Sequence, residues 1–273
     1  ITFSLKEFVM DITNDQKLGV EFKDEVPSGD SVRRVMNLYY LVDTSGSMVS
    51  NGKMESVNQV MPEVIELVAD ISNSNTDTAE IKVACLTFST GAHWMYSAPI
   101  SANDFKWTNC TPAGLTDLGH AYEELEKHLH RDNDLGNNQG HFAPAIILLT
   151  DGMPNDDHKG GLEILKKNNW FKHATKVAIA IGTDTKSQVL RDFVGENAAE
   201  EAIIRVHDVQ TLKDIIRLVS CSVSKVGSSN VSTENKAKEE ILGEEIKGRL
   251  STQDTKQVDG AIDVAPVGDD LFN

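Results

Sequence analysis

The sequence has 273 residues, of which 40% are hydrophobic and 25% are charged, a composition typical of a globular protein. Its 42 acidic residues outnumber 26 basic ones and give a formal net charge of −16, so nucleic acid or an anionic membrane surface would repel the chain on average. No apolar run reaches the roughly 20 residues that a membrane-spanning helix requires. These properties argue against a nucleic-acid-binding or membrane-spanning protein.

The first 34 residues differ in pattern from the part that follows. Residues 4–7 form a possible helix-capping box, and Leu18, Val20 and Phe22 alternate as in a strand. We interpret residues 1–34 as an N-terminal extension packed on the main domain, and the pattern does not choose between these two shapes.

Residues 35–224 alternate between short β-branched runs and longer amphipathic stretches. Strands are predicted at residues 36–42, 81–88, 93–96, 145–150, 177–181 and 202–206. Helices are predicted at residues 57–71, 118–129, 162–171, 187–194 and 211–219. Such alternation predicts a doubly wound α/β domain, with a mostly parallel six-stranded sheet flanked by helices and one antiparallel edge strand at residues 93–96.

The remaining 49 residues, 225–273, contain a single aromatic side chain, Phe272, and more acidic than basic residues. They offer little apolar surface to bury, so we expect a flexible acidic C-terminal tail. The three cysteines of the chain, Cys85, Cys110 and Cys221, form no Cys-x-x-Cys pair and are odd in number. Reduced thiols in a cytoplasmic protein are the interpretation that this spacing favours, with Cys110 as a buried structural thiol.

A polar turn, Asp43-Thr44-Ser45-Gly46-Ser47, lies between the first predicted strand and a long helix. Ligands of open α/β sheets bind at the carboxyl ends of the strands, where this turn is placed. One carboxylate and two hydroxyls at a spacing of two residues are hard oxygen ligands of the kind that Mg²⁺ prefers. Taken alone, the five residues would also suit a simple helix-capping turn.

Two further segments supply oxygen ligands at the same predicted edge. Residues 112–119 form a loop that enters a helix and carries the hydroxyl of Thr116. Residues 148–154 end a buried strand with the carboxylate of Asp151. Because both segments lie where a strand or loop gives way to a helix, they should meet the Asp43 turn.

With these three motifs in this order, residues 35–224 resemble the von Willebrand factor A family, whose fold is Rossmann-like. The resemblance implies a metal-ion-dependent adhesion site, or MIDAS, with ligands at Asp43, Ser45, Ser47, Thr116 and Asp151. In that family the hydroxyls bind the metal directly and the aspartates act partly through water. The implied ion is Mg²⁺, with Mn²⁺ or Ca²⁺ as alternatives, and the implied partner is another protein that offers an acidic side chain.

Three segments, LVDTSGSM, TPAGLTDLG and LLTDGMPND, more narrowly resemble the bacterial TerY group, which is linked to tellurite resistance and stress responses. Two departures stand out. Leu118 occupies a place where many related domains have a second threonine. Residues 222–273 also lack the Cys/His-rich segment of some TerY-like proteins.

Two other functions remain open at this stage. Asp43 could be the nucleophile of a haloacid-dehalogenase-type phosphohydrolase, but that family needs a second aspartate where Ser45 stands. Alternatively, the protein could be a scaffold in which the metal only stabilises the fold. The sequence contains no recognisable motif for a Walker A loop, a nucleophile elbow or a zinc protease, so we expect a binding module and not an enzyme.

Several polar residues near the three motifs have simpler interpretations. Asp117 is expected to cap the helix that follows it, and Asp156 and Asp157 are expected to lie in a solvated loop. His128 and His130, near a helix end, are expected to face solvent.

Overall fold

The computed structural model describes residues 33–74, 79–136, 140–182, 187–195, 202–206, 209–228 and 262–264, all within one compact unit that begins at Arg33. The predicted N-terminal extension lies outside the described residues, apart from residues 33 and 34. Of the predicted C-terminal tail, residues 225–228 belong to a helix and Ile262–Val264 form a strand, and the rest lies outside the described residues.

In the described part of the chain, eight strands form a single sheet. They are β1 (Val35–Asp43), β2 (Glu80–Ser89), β3 (Gly91–Trp94), β4 (Ile100–Ser101), β5 (Ala145–Thr150), β6 (Thr175–Ile181), β7 (Ile203–Val206) and β8 (Ile262–Val264). The strand order is β3-β2-β1-β5-β6-β7-β8, and β4 pairs with β2 beside this path.

The five strands β1, β2, β5, β6 and β7 run parallel to one another, whereas β3 and β4 pair antiparallel with β2, and β8 pairs antiparallel with β7. The predicted sheet and its antiparallel edge at β3 are therefore confirmed. The structure adds β4 and β8, which are two and three residues long and too short to give a periodic signal.

Among the residues that the structure describes, six α-helices connect or cover the strands. They are α1 (Lys53–Ser74), α2 (Leu118–His128), α3 (His158–Lys167), α4 (Asn169–His173), α5 (Ser187–Val194) and α6 (Val209–Ser228). A 3₁₀ segment, Gly46–Gly52, links β1 to α1. No helix within these described ranges is long and apolar enough to cross a membrane.

Central strand β1 shows why helices pack on both faces of the sheet. All nine of its residues are buried, and successive side chains point to opposite faces. Leu38 and Tyr40 pack into a core that includes residues of α1 and α6, whereas Tyr39 and Leu41 pack into a second core with residues of α2, α3 and α5. A continuous apolar run is what a strand covered on both sides requires.

The helices extend beyond most of the predicted boundaries, and two of the differences are informative. The predicted helix at residues 162–171 is two helices, because Asn168 adopts an extended conformation and its side chain accepts hydrogen bonds from the N–H groups of Trp170 and Phe171. The last helix continues past Val219 through Ser220, Ser222 and other small residues, which are buried like the apolar residues before them. Serine gives no hydrophobic periodicity, so the sequence pattern stops too early.

Candidate metal centre

The three predicted site segments meet at the carboxyl edge of the sheet because β1 and β5 are adjacent parallel strands. Val42 pairs with Leu149 in the register of these strands, so the residues that follow, Asp43 and Thr150, lie side by side. The loop before α2 is joined to the Asp43 turn by backbone hydrogen bonds from Gly46 N to Gly114 O (3.1 Å) and from Ala113 N to Thr44 O (2.8 Å).

Asp43 lies at the base of the site with its side chain fully buried. Its Oδ1 accepts a 2.8 Å hydrogen bond from the N–H of Ser45, and its Oδ2 accepts a 2.6 Å hydrogen bond from the hydroxyl of Thr150. Burial raises the pKa of the Asp43 carboxyl, as does the nearby Asp151, while the hydrogen bonds from Ser45 and Thr150 oppose the rise. The ionised carboxylate is therefore short of a compensating positive charge.

Above Asp43 the two serines and the second aspartate form a chain of hydrogen bonds. The Oγ atoms of Ser45 and Ser47 lie 3.0 Å apart, and Ser47 donates a 2.6 Å hydrogen bond to Oδ1 of Asp151. Asp151 is buried, and the structure places it beside the serines as the sequence predicts.

Gly152 marks the place where the oxygen ligands converge. A β-carbon on this residue would lie 3.4 Å from Thr116 Oγ1, 3.5 Å from Ser47 Oγ and 3.9 Å from Asp43 Oδ2. Three of the five predicted ligands thus surround a space that a single methyl group would fill. Asn155, missed in the sequence, fixes the Thr116 loop, because its side chain accepts from Thr116 N (2.9 Å) and its N–H donates to Thr116 O (2.9 Å).

The five side chains suit a hard divalent cation. They offer hydroxyl and carboxylate oxygens and no sulfur or imidazole, which is the set that Mg²⁺, Mn²⁺ and Ca²⁺ prefer. A cleft of about 310 Å³ opens above them, lined by site residues together with Leu115, Met153 and Asn155. Leu115 is 54% exposed on its rim. The residues present therefore fit a metal that a ligand can approach from solvent.

Lys53 is a site residue that the sequence analysis missed. Its ammonium group lies 2.7 Å from Oδ2 of Asp151, and the two side chains are 13% and 0% exposed. The sequence offers one weak signal, since Asn51-Gly52 is a turn dipeptide that directs the chain into α1. Nothing in the pattern distinguishes Lys53 from a solvated lysine at the start of a helix.

Nearby acidic residues have other roles than those expected. Asp117 does not cap α2: its side chain accepts a 2.8 Å hydrogen bond from the N–H of Gly91. Asp156 caps α2 instead, accepting from the N–H groups of Gly119 (3.0 Å) and His120 (2.9 Å). Asp156 and Asp157 both lie in the predicted loop before α3, where Asp156 is half-buried, and Asp157 is exposed and caps α3 by accepting a hydrogen bond from Gly160 N. Asp156 lies more than 30 residues from the helix start that it caps, so this contact leaves no local signal in the sequence.

The remaining candidates lie away from the metal centre or do not line it. His130 is 53% exposed, as expected, whereas the His128 side chain is only 12% exposed, with Nδ1 3.0 Å from Asp134 Oδ2 and its ring 4.1 Å from that of Trp94. Cys110 is half-buried, and burial raises the pKa of its thiol to about 11. Leu118, the first residue of α2, is buried in the hydrophobic core.

Residues 37–218 match the family model described as the von Willebrand factor type A domain. No curated protein matches the chain by sequence.

Solved structures with the same fold include proximal thread matrix protein 1 from the mussel byssus, at 20% identity and a TM-score of 0.51 over 72% of this chain and 47% of that one. Another structure of that protein, with a zinc-occupied MIDAS motif, matches at 16% identity and a TM-score of 0.52, over 71% of this chain and 49% of that one. The pilus adhesin SpaC from Lactobacillus rhamnosus GG matches at 12% identity and a TM-score of 0.54, over 71% of this chain and 31% of that one. The chain thus spans about half the length of the mussel protein.

Proposed function

This chain belongs to the von Willebrand factor type A family, and from that premise we propose that it is a metal-dependent protein-binding module. Asp43, Ser45, Ser47, Thr116 and Asp151 would hold one divalent cation, for which we propose Mg²⁺. The bound ion would in turn grip an acidic side chain of a partner protein.

One observation carries this proposal: the hydroxyl oxygens of Thr116 and Ser47 and the buried carboxylate of Asp43 converge beside Gly152. Thr116 and Ser47 contribute uncharged oxygens, while Asp43 holds a negative charge that burial disfavours. A dication placed among them would compensate Asp43 without being saturated by carboxylates. When bound, it would supply a positive charge at the base of the cleft.

Mg²⁺ is proposed over the alternatives because of ligand number and type. The site offers several small hydroxyl oxygens and few carboxylates, and Mg²⁺ commonly completes its octahedral shell with water. Mn²⁺ accepts the same ligands, and Ca²⁺ would require more oxygen ligands at longer distances. The mussel relative holds zinc at its own MIDAS motif.

The surroundings of Asp43 support binding over catalysis. A phosphohydrolase nucleophile must reach its substrate, yet Asp43 is fully buried and both of its carboxylate oxygens accept hydrogen bonds from Ser45 or Thr150. The neighbouring position Ser45 offers a hydroxyl where general acid–base catalysis would need a titrating group. We therefore propose that the protein is not an enzyme.

The scaffold alternative makes a different prediction about stability. If the metal only held the fold, removing it would unfold the domain. The site loops, however, are already joined by direct protein hydrogen bonds such as Ser47 to Asp151 and Asn155 to Thr116. These contacts support a fold that persists without metal and a metal that serves recognition.

We also propose a setting for this activity. The resemblance of the three motifs to the TerY group suggests a partner within a bacterial stress-response complex. Cys85, Cys110 and Cys221 form no disulfide bond in the structure, which suits a reducing compartment such as the cytoplasm.

A pull-down from the native host, with Mg²⁺ or with EDTA, tests the proposal. Ser45→Ala is the preferred variant because it removes a single hydroxyl beside Ser47 and Asp43, whereas truncating Asp43 strips a partner from two buried donors. We expect EDTA to release the partner and Ser45→Ala to weaken binding by roughly 2–5 kcal/mol, by analogy with truncated interfacial charge pairs. Circular dichroism should be unchanged. Binding that survives both EDTA and Ser45→Ala would favour the scaffold function instead.

Phosphate release from a generic phosphomonoester is the matching test for the enzyme. Metal-dependent release that disappears in Asp43→Asn would overturn the proposal of a binding module.

A further inference from the structure

Asp151 shares its two carboxylate oxygens between the metal centre and a lysine. Oδ1 accepts the hydroxyl hydrogen of Ser47 at 2.6 Å, and Oδ2 lies 2.7 Å from the ammonium nitrogen of Lys53. The Asp151 side chain is 0% exposed and that of Lys53 is 13% exposed. The ion pair is thus shielded from the solvent that weakens most surface salt bridges.

The turn before α1 places Lys53 at this position. Asn51 and Gly52 both adopt left-handed backbone conformations, with φ of 56° and 69°, which Asn and Gly tolerate better than other residues. The chain reverses there, and α1 begins at Lys53. The lysine side chain extends to Gly182, where a β-carbon would lie in ordinary contact with Nζ at 3.5 Å.

Counting charges shows what this lysine changes. Asp43 and Asp151, when ionised, carry two negative charges, enough to neutralise a dication completely. Lys53 returns one positive charge to the same group of buried residues. With Lys53 present, the loaded site keeps a net charge of one positive unit.

We infer that Lys53 is a positioning residue that neutralises Asp151, weakens the hold on the cation, and leaves the loaded site one positive charge with which to attract an anionic partner. This inference rests on the proposed function. Lys53 would thus lower the affinity of the site for Mg²⁺ and raise the affinity of the loaded site for a carboxylate. Removing the lysine should change these two affinities in opposite directions.

Lys53→Met keeps most of the side-chain volume and removes the charge. We expect Mg²⁺ affinity to rise about tenfold because a repelling cation is lost and Asp151 is free to face the metal. At saturating Mg²⁺, we expect affinity for a carboxylate to fall about tenfold because the loaded site becomes neutral. Lys53→Arg keeps the charge and should restore the carboxylate affinity.

Lys127→Met is the matched control. Lys127 is 61% exposed, pairs with Glu124 on α2, and its replacement changes the net charge of the protein by the same amount. It should leave both affinities near those of the wild-type protein.

Two titrations on the full chain test the inference. Isothermal calorimetry with MgCl₂ gives metal affinity for the wild type and the three variants. Fluorescence anisotropy of a labelled oligoglutamate peptide, with oligoglutamine as the uncharged control, gives carboxylate affinity in excess Mg²⁺. Thermal unfolding in EDTA reports the stability lost when Asp151 is left unpaired, and Mg²⁺ should raise the midpoint more for Lys53→Met than for the wild type.

Opposite changes in Mg²⁺ and oligoglutamate affinity for Lys53→Met, absent in Lys53→Arg and Lys127→Met, would support the inference. A parallel loss of both affinities, or identical behaviour of the Met and Arg variants, would overturn it and leave Lys53 a purely structural residue. A wild-type protein that binds Mg²⁺ but no oligoglutamate would count against the proposed function instead, and the Mg²⁺ titration would still decide the role of Lys53.

Discussion

Asp156 caps the helix that begins two residues after Thr116, because its carboxylate accepts hydrogen bonds from the N–H groups of Gly119 and His120. The loop that carries Asp151 therefore fixes the start of α2, and with it the loop that carries Thr116. Two of the three segments of the metal centre are held together by a residue that would not touch the metal.

Asp156→Ala should loosen this connection. Losing the cap should lower the free energy of unfolding by about 1–2 kcal/mol, and Mg²⁺ affinity should fall because Thr116 is less firmly positioned. Chemical denaturation and calorimetry measure the two effects. Asp157→Ala is the control, since it removes a cap from α3 alone. Equal losses of Mg²⁺ affinity in both variants would show that the capping contact does not position Thr116.

Gly152→Ala should fill the space between the oxygen ligands. Its methyl group would lie at ordinary contact distances of 3.4–3.9 Å from Thr116, Ser47 and Asp43, so the fold should tolerate it. We expect the free energy of unfolding in EDTA to change by less than about 1 kcal/mol, as for a substitution without steric conflict. Mg²⁺ binding should become undetectable by calorimetry. Unchanged Mg²⁺ affinity would place the cation elsewhere.

Thr150→Val should leave Oδ2 of Asp43 buried without a hydrogen-bond donor. The cost to metal-free stability should be about 1–3 kcal/mol, the usual penalty for an unsatisfied buried group, and Mg²⁺ should recover part of it. Thr44→Val is the control, because Thr44 is also buried but donates to the backbone oxygen of Phe88. The Mg²⁺-induced rise in unfolding temperature should be larger for Thr150→Val. An equal rise in both would contradict a charge-compensating role for the cation.

Cys110 should react slowly with iodoacetamide at pH 8, because burial raises the pKa of its thiol from 9.0 to about 11. The thiolate fraction is then about a hundredfold lower, and the higher nucleophilicity of the thiolate that remains reduces the net slowing to about tenfold. The rate should climb with pH up to about 11. Mass spectrometry would measure the alkylation rate, and Cys110→Ser is the control that reports any reaction of the buried Cys85 and Cys221. A rate already at its plateau at pH 8 would be incompatible with this environment.

The sequence predicted the sheet because its central strands are apolar runs buried on both faces, which few other structures accommodate. It also predicted the meeting of Asp43, Ser47 and Asp151, because adjacent parallel strands bring the loops after them to one edge. The pairing of Lys53 with Asp151 and the cap supplied by Asp156 could not be read in the same way. Both depend on side-chain directions set by tertiary packing, and neither leaves a periodic or local signal.

Hydrogen bonds within the metal centre join residues far apart in the chain: 104 positions separate Ser47 from Asp151, and 107 separate Asp43 from Thr150. During synthesis the Asp43 turn leaves the ribosome long before β5 can align beside β1. Partly folded chains that lack this strand pairing contain the ligand residues, but these residues are not yet assembled into a metal site. Mg²⁺ should therefore bind the native state alone and shift the folding equilibrium by mass action, by about 2.7 kcal/mol at a concentration one hundred times its Kd.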